Sequence, residues 1–257
     1  MSGSATRVTV PTAEPFRLEG EHIAIHLGGA YALFTTRRGG VSGGPYESLN
    51  LGRLTDDDPA AVERNRESLQ RTHGIRFVYG RQVHGTRVLV VDAARTDGTM
   101  PDEADGQATA TAGAAPMVLT ADCLPVAIAG RGAVAMVHAG WRGLAGGVIL
   151  EGVRTVRDLG AGGPLAAAIG PGAGPCCYEV GEEVHAAFAG ESEGGDAVRR
   201  GRHLDLKEIA RRQLERAGVE HIHDVGLCTM CSDPSLFFSH RRDNGVTGRQ
   251  AGIAWLS

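Results

Sequence analysis

The sequence predicts a single domain of the α+β or mixed α/β class, and three observations support this prediction. Short apolar runs bounded by Gly, Pro or Asp recur along the chain, as is typical of β-strands. Three segments with helical spacing of apolar residues interrupt those runs. The 257 residues, of which 42% are apolar, contain neither a Pro- or Ser-rich linker nor a repeat of fixed period, so we expect one sizeable core.

Strands are expected at nine apolar runs, which dominate the first half of the chain. The runs are His22–Leu27, Tyr31–Thr35, Arg76–Tyr79, Arg87–Val91, Met117–Thr120, Pro125–Ala129, Ala133–Val137, Ala166–Ile169 and Gly252–Leu256. In the second half, strands alternate with helices. The 38 glycines of the chain indicate many tight turns between these elements.

Three helices are expected. The first begins at Asp57–Pro59, with proline in the first turn, and continues to about Thr72. The second follows Trp141–Gly143 and places four apolar residues on one face, namely Val148, Val153, Val156 and Leu159. The third begins at Asp205, which has capping-box spacing to an acidic residue three positions later, and ends before Gly218.

One domain is expected after a short N-terminal segment. We expect a flexible N-terminal segment over residues 1–20 and a single catalytic domain over residues 20–257. A polar, glycine-containing stretch at Glu191–Gly195 indicates an exposed loop within that domain.

Composition favours a cytoplasmic enzyme. The formal net charge is −4, and Lys207 is the only lysine among 26 dispersed basic residues, so a nucleic-acid binder is not expected. The chain has no apolar run long enough for a transmembrane helix and no secretory signal at its start, so no membrane partner is expected. Five cysteines, an odd number clustered late, suit a metal or catalytic role in a reducing compartment better than a disulfide framework.

Reactive side chains stand beside glycines at three predicted strand ends. His84 lies in Arg81–Gly85, Cys123 in Thr120–Pro125, and His138 in Val137–Gly143. The ends of adjacent strands bring distant residues together, and glycine-flanked turns leave room for a ligand.

Three interpretations of this trio remain open on spacing alone. His84, Cys123 and His138 could bind zinc and leave a fourth position for water. Cys123 could instead be a thiolate nucleophile activated by one of the histidines and oriented by Asp122. All of them could also be ordinary buried or turn residues, because no local motif joins them.

Four further cysteines form two pairs. Cys228–Cys231 has the C-x-x-C spacing of half a zinc site or a redox disulfide, and Cys176–Cys177 could complete it in space. Vicinal cysteines are awkward ligands, however. We therefore favour a packing role for all four.

Arginines cluster near the reactive segments. Arg37 enters a glycine-rich stretch that could hold an anion through backbone N–H groups, although a plain glycine-rich hairpin is equally compatible. Arg142 follows His138, and a C-terminal group contains Arg241, Arg242 and Arg249. Residues available for base or ribose contacts are Asn50, Asp105, Gln107, Tyr178 and Phe238.

Taken together, these segments resemble a known family. The matching segments are Thr36–Ser42, Gln82–Gly85, Thr120–Pro125, Val137–Gly143, Gly170–Pro171, Cys177–Val180, Phe238–Asp243 and Thr247–Gln250. They resemble the YfiH/laccase-domain family of purine nucleoside phosphorylases, formerly called multicopper polyphenol oxidases, over about residues 20 to 256. His240 departs from the pattern, because the family usually has an aromatic residue there.

The resemblance implies an α+β fold, a single-domain layered sandwich of mixed β-sheets flanked by helices. It implies that His84, Cys123 and His138 bind Zn²⁺, with Cu²⁺ as an alternative occupant. It also implies phosphorolysis of adenosine, inosine and methylthioadenosine to base and ribose 1-phosphate, and deamination of adenosine to inosine. The expected partners are therefore purine nucleosides and phosphate, and the protein is expected to be a monomer or homodimer.

Roles follow from these two reactions. The metal ligands are expected to be catalytic, and Asp122 is a candidate for proton transfer in deamination. Arg37, Arg241 and Arg242 are assigned to phosphate or substrate, and Asn50, Arg142 and Arg249 are further binding candidates.

Other functions remain alternatives. Within the family, a Cys–His pair or a metal could hydrolyse an amide of a peptidoglycan precursor, and copper could support phenol oxidation. The sequence contains only one His-x-His pair, at His221–His223, which is a poor match to the several pairs of a four-copper laccase. A module that binds a metabolite without turnover is the alternative from another functional class.

Overall fold

Two six-stranded mixed sheets face each other across a shared apolar layer. The computed structural model describes residues 9–92, 102–192 and 198–257. The first sheet has the order β1-β2-β3-β14-β7-β4. Its strands are β1 (Arg17–Glu19), β2 (His22–His26), β3 (Ala30–Phe34), β4 (Arg76–Val78), β7 (Ala114–Thr120) and β14 (Gln250–Leu256). Only the β4–β7 pairing is parallel, which makes the sheet mixed.

The second sheet has the order β13-β10-β8-β9-β6-β5. Its strands are β5 (Val88–Val90), β6 (Gly106–Thr109), β8 (Leu124–Arg131), β9 (Ala133–Ala139), β10 (Gly162–Ile169) and β13 (His221–Asp224). The two outer pairs, β5–β6 and β10–β13, are parallel, and the central pairs are antiparallel. A separate two-stranded sheet consists of β11 (Arg199–Arg200) and β12 (His203–Leu204).

Helices cover the outer faces of both sheets. They are α1 (Pro59–His73), α2 (Trp141–Gly146), α3 (Val148–Asp158), α4 (Glu182–Ala187) and α5 (Leu206–Arg216). Leu69 of α1 packs with apolar residues of the first sheet, and the apolar faces of α3 and α5 pack on the second sheet. Between the sheets lies a third cluster, with Ile25 and Phe34 on one side and Ala127 and Met136 on the other. The predicted α+β layered sandwich is confirmed.

All nine predicted strands are present, with ends that differ by a few residues. Strand β6 was not predicted, because Gly106–Thr109 is buried on both faces but contains polar residues and therefore lacks an apolar run. Strand β13 was not predicted either, because its four residues are two histidines, an aspartate and a single isoleucine. Strand β6 is important for the functional site, because it begins directly after Asp105 and so fixes the position of that residue.

Two predicted helices form as expected. Asp58 caps α1 by accepting a hydrogen bond from the Ala60 N–H, and Asp205 caps α5 by accepting one from the Glu208 N–H. The second predicted helix is two helices, α2 and α3. Gly147 separates them with a left-handed backbone (φ 92°), which glycine adopts without steric cost.

The ends and loops add two observations. Within residues 1–20, where we expect flexibility, Val10 and Phe16 are buried and β1 pairs with β2, so the packed part of the chain begins before residue 20. The predicted loop at Glu191–Gly195 lies largely outside the described residues. No helix in the described ranges is long and apolar enough to cross a membrane.

Candidate functional site

The structure brings His84, Cys123 and His138 to one place. His84 lies between β4 and β5, Cys123 in the turn from β7 to β8, and His138 near the end of β9. Because Pro125 pairs with His138 in the β8–β9 register, the turn that contains Cys123 ends beside His138. This turn also carries the chain from the first sheet to the second, so the site lies at a junction of the sheets.

The three side chains are close enough to share one ion. The Cys123 Sγ lies 3.8 Å from His84 Nε2, and the two imidazole rings meet edge to face with centroids 4.9 Å apart. One ligand atom of each residue lies within 4.8 Å of the others. Gly140 permits this approach, because a Cβ there would lie 2.9 Å from His84 Cδ2 and 3.1 Å from Cys123 Sγ.

The side chain of Asp105 is hydrogen-bonded to His138 and to the segment that contains His84. This fully buried carboxylate accepts a hydrogen bond from His138 Nδ1 at 2.8 Å. It also accepts backbone N–H bonds from Val83, His84 and Gly85 at 3.1, 2.9 and 2.7 Å. One side chain therefore orients both histidines. From the sequence, Asp105 was expected only as a possible base or ribose contact, because the strand β6, which follows it, contains no apolar run.

Two non-glycine residues of the site have left-handed backbones. His84 has φ 59° and Asp122 has φ 91°. Such conformations are unfavourable for residues with a Cβ and persist where surrounding contacts impose them. The Asp105 hydrogen bonds provide that constraint at His84, and an Ala173 N–H bond to the Asp122 carbonyl at 2.7 Å contributes at Asp122.

The electrostatics among these side chains favour a thiolate beside an imidazolium. Burial opposes a charged thiol, but the charge and hydrogen bonding of His138 and His84 lower the pKa of Cys123 to about 6. Burial likewise opposes a charged imidazole, but the Cys123 thiolate and Asp105 raise the pKa of His138 to about 9. The site therefore stabilises the thiolate form that ligates metals.

The donor set fits a transition metal of the zinc or copper type. Two imidazole nitrogens and one thiolate sulfur are ligands that zinc and copper accept, and three protein ligands leave a position open. Asp105 occupies Nδ1 of His138, which leaves Nε2 as the nitrogen available to the cluster. A carboxylate behind a ligating histidine is a common outer-shell partner in zinc sites.

A pocket of about 520 Å³ opens in front of these three residues. Three aromatic side chains contribute to its wall, namely Tyr79, Trp141 and Tyr178. Six arginines line it as well, namely Arg53, Arg66, Arg81, Arg142, Arg241 and Arg249. The size suits a small metabolite, and the arginines favour an anionic group.

Three predicted binding residues line this pocket. Arg142 is exposed, and its guanidinium lies 4.5 Å from the centroid of the Trp141 ring. Arg241 lies over the Tyr178 ring and donates to the Glu179 carbonyl at 2.5 Å. Arg249 bonds to two neighbouring carbonyls, and burial lowers its pKa.

Arg37, which was assigned to phosphate or substrate, lies outside the lining of this pocket, so the pocket gives that assignment no support. Its guanidinium donates to the carbonyls of Glu47 and Pro234 at 2.5 and 3.0 Å and covers the Phe238 ring at 4.4 Å. These contacts tie the glycine-rich stretch to the C-terminal loop. The side chain is a structural link whose donors point to the protein backbone.

Arg242 and Asn50 are likewise outside the pocket lining. Arg242 pairs with Asp243 at 2.8 Å and donates to the carbonyls of Thr229 and Phe237. Asn50 is fully buried, and its amide joins Gly52 and Thr55 to the backbone N–H of Arg249. Both hold loops in place, which their sequence positions beside the reactive segments could not reveal.

Asp122 lies on the pocket wall with both carboxylate oxygens in use. One accepts the Thr229 hydroxyl at 2.7 Å, and the other accepts the backbone N–H of Arg241 at 2.8 Å. It therefore joins the Cys123 turn to the segment that carries Arg241.

Sequence analysis missed three pocket arginines. Arg66 lies on the buried face of α1 and stacks over the Tyr79 ring at 4.5 Å, and burial lowers its pKa to about 10. The sequence signal for Arg66 was a charged residue at a position of α1 where the helical pattern calls for an apolar one. No sequence pattern marked Arg53 or Arg81, which form ion pairs with Glu63 and Glu103.

Comparison with known proteins decides the family. The profile of the family described as multi-copper polyphenol oxidoreductase laccase matches residues 31–257. The chain belongs to the YfiH/laccase-domain family. It is 44% identical to a purine nucleoside phosphorylase of Xylella fastidiosa, over 89% of this chain and 93% of the relative. It is 43% identical to a purine nucleoside phosphorylase of Pseudomonas aeruginosa, over 88% and 93% of the two chains.

The YfiH/laccase-domain fold is also seen in solved structures. YlmD from Geobacillus stearothermophilus superposes with a TM-score of 0.86 at 35% identity, covering 96% of this chain and 99% of that one. The Bacillus licheniformis protein YfiH gives a TM-score of 0.86 at 33% identity, covering 95% and 100%. Both matches support the family and the layered fold.

Proposed function

We propose that the protein is a zinc-dependent purine nucleoside phosphorylase that also deaminates adenosine. The observation that carries the proposal is the convergence of His84, Cys123 and His138 at a nucleoside-sized pocket lined by arginines. The names of the relatives support the substrate class. We further propose residues 20–257 as a single catalytic domain that acts in the cytoplasm on small metabolites.

The phosphate site is assigned to Arg142, Arg241 and Arg249. Arg53 and Arg81 form ion pairs with Glu63 and Glu103, which neutralise their charge. In the described ranges, no carboxylate forms an ion pair with Arg142, Arg241 or Arg249. The fourth remaining arginine, Arg66, is buried, donates to the Leu51 carbonyl and stacks on the Tyr79 ring. The positive charge of Arg142, Arg241 and Arg249 supports binding of a phosphate dianion near the anomeric carbon of the nucleoside.

The base and the metal occupy neighbouring parts of the pocket in this proposal. Tyr178 and Trp141 offer ring faces to a purine. Zinc, when bound, would supply Lewis acidity and lower the pKa of a water for hydrolytic deamination. Asp122, held by Thr229 and the Arg241 N–H, is assigned to proton transfer at a ring nitrogen of the purine.

Product analysis tests the two reactions. The zinc-loaded protein is incubated with adenosine, inosine or methylthioadenosine, with and without phosphate. We expect free base and the 1-phosphorylated sugar only with phosphate, and inosine from adenosine without it. The Cys123→Ser variant serves as the control. Absence of all these products from a protein shown to bind adenosine would contradict the proposal.

A pair of arginine variants tests the phosphate assignment. Arg142→Ala should lose phosphorolysis and retain deamination, because only phosphorolysis needs the dianion. Arg37→Ala is the matched control, because its guanidinium binds carbonyls outside the pocket lining. Equal loss of both activities in Arg142→Ala would contradict the division of roles.

A thiol hydrolase acting on an amide of a peptidoglycan precursor is the second candidate. It is favoured by the 3.8 Å distance from Cys123 Sγ to His84 Nε2 and by the lowered pKa of Cys123. Activity that survives complete chelation and is abolished by iodoacetamide would favour this candidate. Phenol oxidation by copper at the same ligands would vanish in zinc-loaded, copper-free protein.

A further inference from the structure

Four cysteines that the proposed reaction does not use meet at a second place in the fold. Cys176 and Cys177 follow β10, and Cys228 and Cys231 lie in the segment between β13 and β14. The four Sγ atoms all lie within 4.8 Å of one another. From the sequence, a packing role was expected for all four. Because Cys176 and Cys231 are exposed and Cys177 is half-buried, apolar packing does not explain these three.

The sulfur separations fit one shared ion. A tetrahedral site with zinc–sulfur bonds of about 2.3 Å has sulfur atoms about 3.8 Å apart. The Cys176 and Cys231 Sγ atoms lie 3.4 Å apart, which is near this value and well beyond the roughly 2.05 Å of a disulfide bond. The cysteines of an iron–sulfur cluster surround several metal atoms and must lie farther apart.

The backbone around Cys228 is arranged as it is around a metal-bound thiolate. Its Sγ accepts an N–H bond from Gly174 at 3.3 Å and further backbone N–H bonds from Met230 and Cys231. Hydrogen bonds to sulfur stabilise the charged form that ligates a metal. A β-bridge between Gly172 and Cys228 fixes the two segments side by side.

We propose that Cys176, Cys177, Cys228 and Cys231 form a structural Zn²⁺ site with four thiolate ligands. Four sulfur ligands in a tetrahedral arrangement suit zinc, and a full set of protein ligands leaves no position for substrate. On binding, four thiols release protons as zinc–sulfur bonds form, with no change in oxidation state.

Such a site would fasten two parts of the pocket wall. Tyr178 follows Cys177 directly and lies under the Arg241 guanidinium. Thr229 follows Cys228 directly and holds Asp122. The zinc would therefore fix the positions of Tyr178 and Asp122 relative to each other without contacting the substrate.

Metal content and ligand type test the site in the full chain, expressed with zinc and purified under reducing conditions. The double variant Cys123→Ser/His138→Ala removes the metal site at His84, Cys123 and His138, so that any bound zinc belongs to the four-cysteine site. We expect one zinc per chain in this variant, with an X-ray absorption spectrum of four sulfur neighbours at about 2.3 Å. Adding Cys231→Ser, an exposed position, should reduce the zinc content at least tenfold, and Cys228→Ser is the second such variant.

Several results would overturn the proposal. One is a double variant that contains no zinc although peptide mapping finds all four cysteines as free thiols. Others are a Cys176–Cys231 disulfide found by peptide mapping of the freshly purified protein, bound iron in place of zinc, or nitrogen and oxygen neighbours in the absorption spectrum. Because the isolated second centre is measured without any turnover assay, the test is independent of the proposed nucleoside chemistry.

Discussion

The two sulfur-containing clusters of this protein differ in composition, exposure and surroundings. The open cluster, which consists of His84, Cys123 and His138, combines two nitrogen ligands with one sulfur ligand and faces a pocket. The buried carboxylate of Asp105 is hydrogen-bonded to its His138. The four-cysteine cluster contains only sulfur and is organised by backbone N–H groups. An incomplete ligand set beside a cavity suits chemistry on a bound molecule, whereas a complete set between two loops suits stabilisation.

The largest expected effect separates the clusters by activity. Cys123→Ser should decrease phosphorolysis and deamination by on the order of 10³-fold or more, because a metal held by this residue would supply several kcal/mol of transition-state stabilisation in the proposed function. Initial rates and circular dichroism, measured together, check this prediction. A variant that keeps wild-type rates would show that the open cluster is not the reactive centre.

The next effect separates the clusters by stability. Cys228→Ser should lower the free energy of unfolding by about 3 kcal/mol, which is comparable to loss of another cross-link between loops. For a chain of this size that corresponds to a decrease in melting temperature of roughly 6–12 °C. Differential scanning calorimetry checks it, with Cys123→Ser as the matched cysteine control. Equal melting temperatures for Cys228→Ser and wild type would remove the distinction between the two centres.

Asp105 offers a sharper test of the open cluster. Asp105→Asn keeps the size of the side chain but removes the charge that faces His138 Nδ1, so zinc affinity should fall about 10- to 100-fold. Competition with a chromophoric chelator measures the affinity. Asp205→Asn, at the cap of α5, is the control and should leave zinc binding unchanged. Unchanged affinity in Asp105→Asn would contradict the orienting role.

The smallest effect is one of thiol reactivity in metal-free protein. Since the histidines lower the pKa of Cys123 to about 6, its thiolate should already predominate at pH 7. Burial and neighbouring thiols raise the pKa of Cys177 to about 11, so its thiolate should form only in strongly alkaline solution. Mass spectrometry after short iodoacetamide pulses at several pH values checks the order. Faster labelling of Cys177 than of Cys123 at pH 7 would contradict it.

The sequence was sufficient for the frame of the molecule and for the three residues of the open cluster. Apolar runs locate the main strands, because burial between layers demands continuous apolar residues, and glycine-flanked strand ends mark His84, Cys123 and His138. The roles of the arginines were less accessible. Arg37 and Arg142 look alike in sequence, yet one donates to backbone carbonyls and the other faces the pocket.

Long-range pairing explains the remaining gaps. Asp105 precedes a strand without an apolar run, and its contact with His138 spans 33 residues. The approach of Cys176 to Cys231 spans 55 residues and depends on the bridge between Gly172 and Cys228. Spacing within a short segment contains no information about either contact.

One measurement tests the central division of labour most directly. Formation of ribose 1-phosphate from adenosine and phosphate is followed for zinc-loaded wild type, Cys123→Ser and Cys231→Ser, at a temperature where all three are folded. We predict that Cys123→Ser loses the reaction and that Cys231→Ser retains it within about tenfold, because only the open cluster contacts substrate. Retention in Cys123→Ser together with loss in Cys231→Ser would contradict the account.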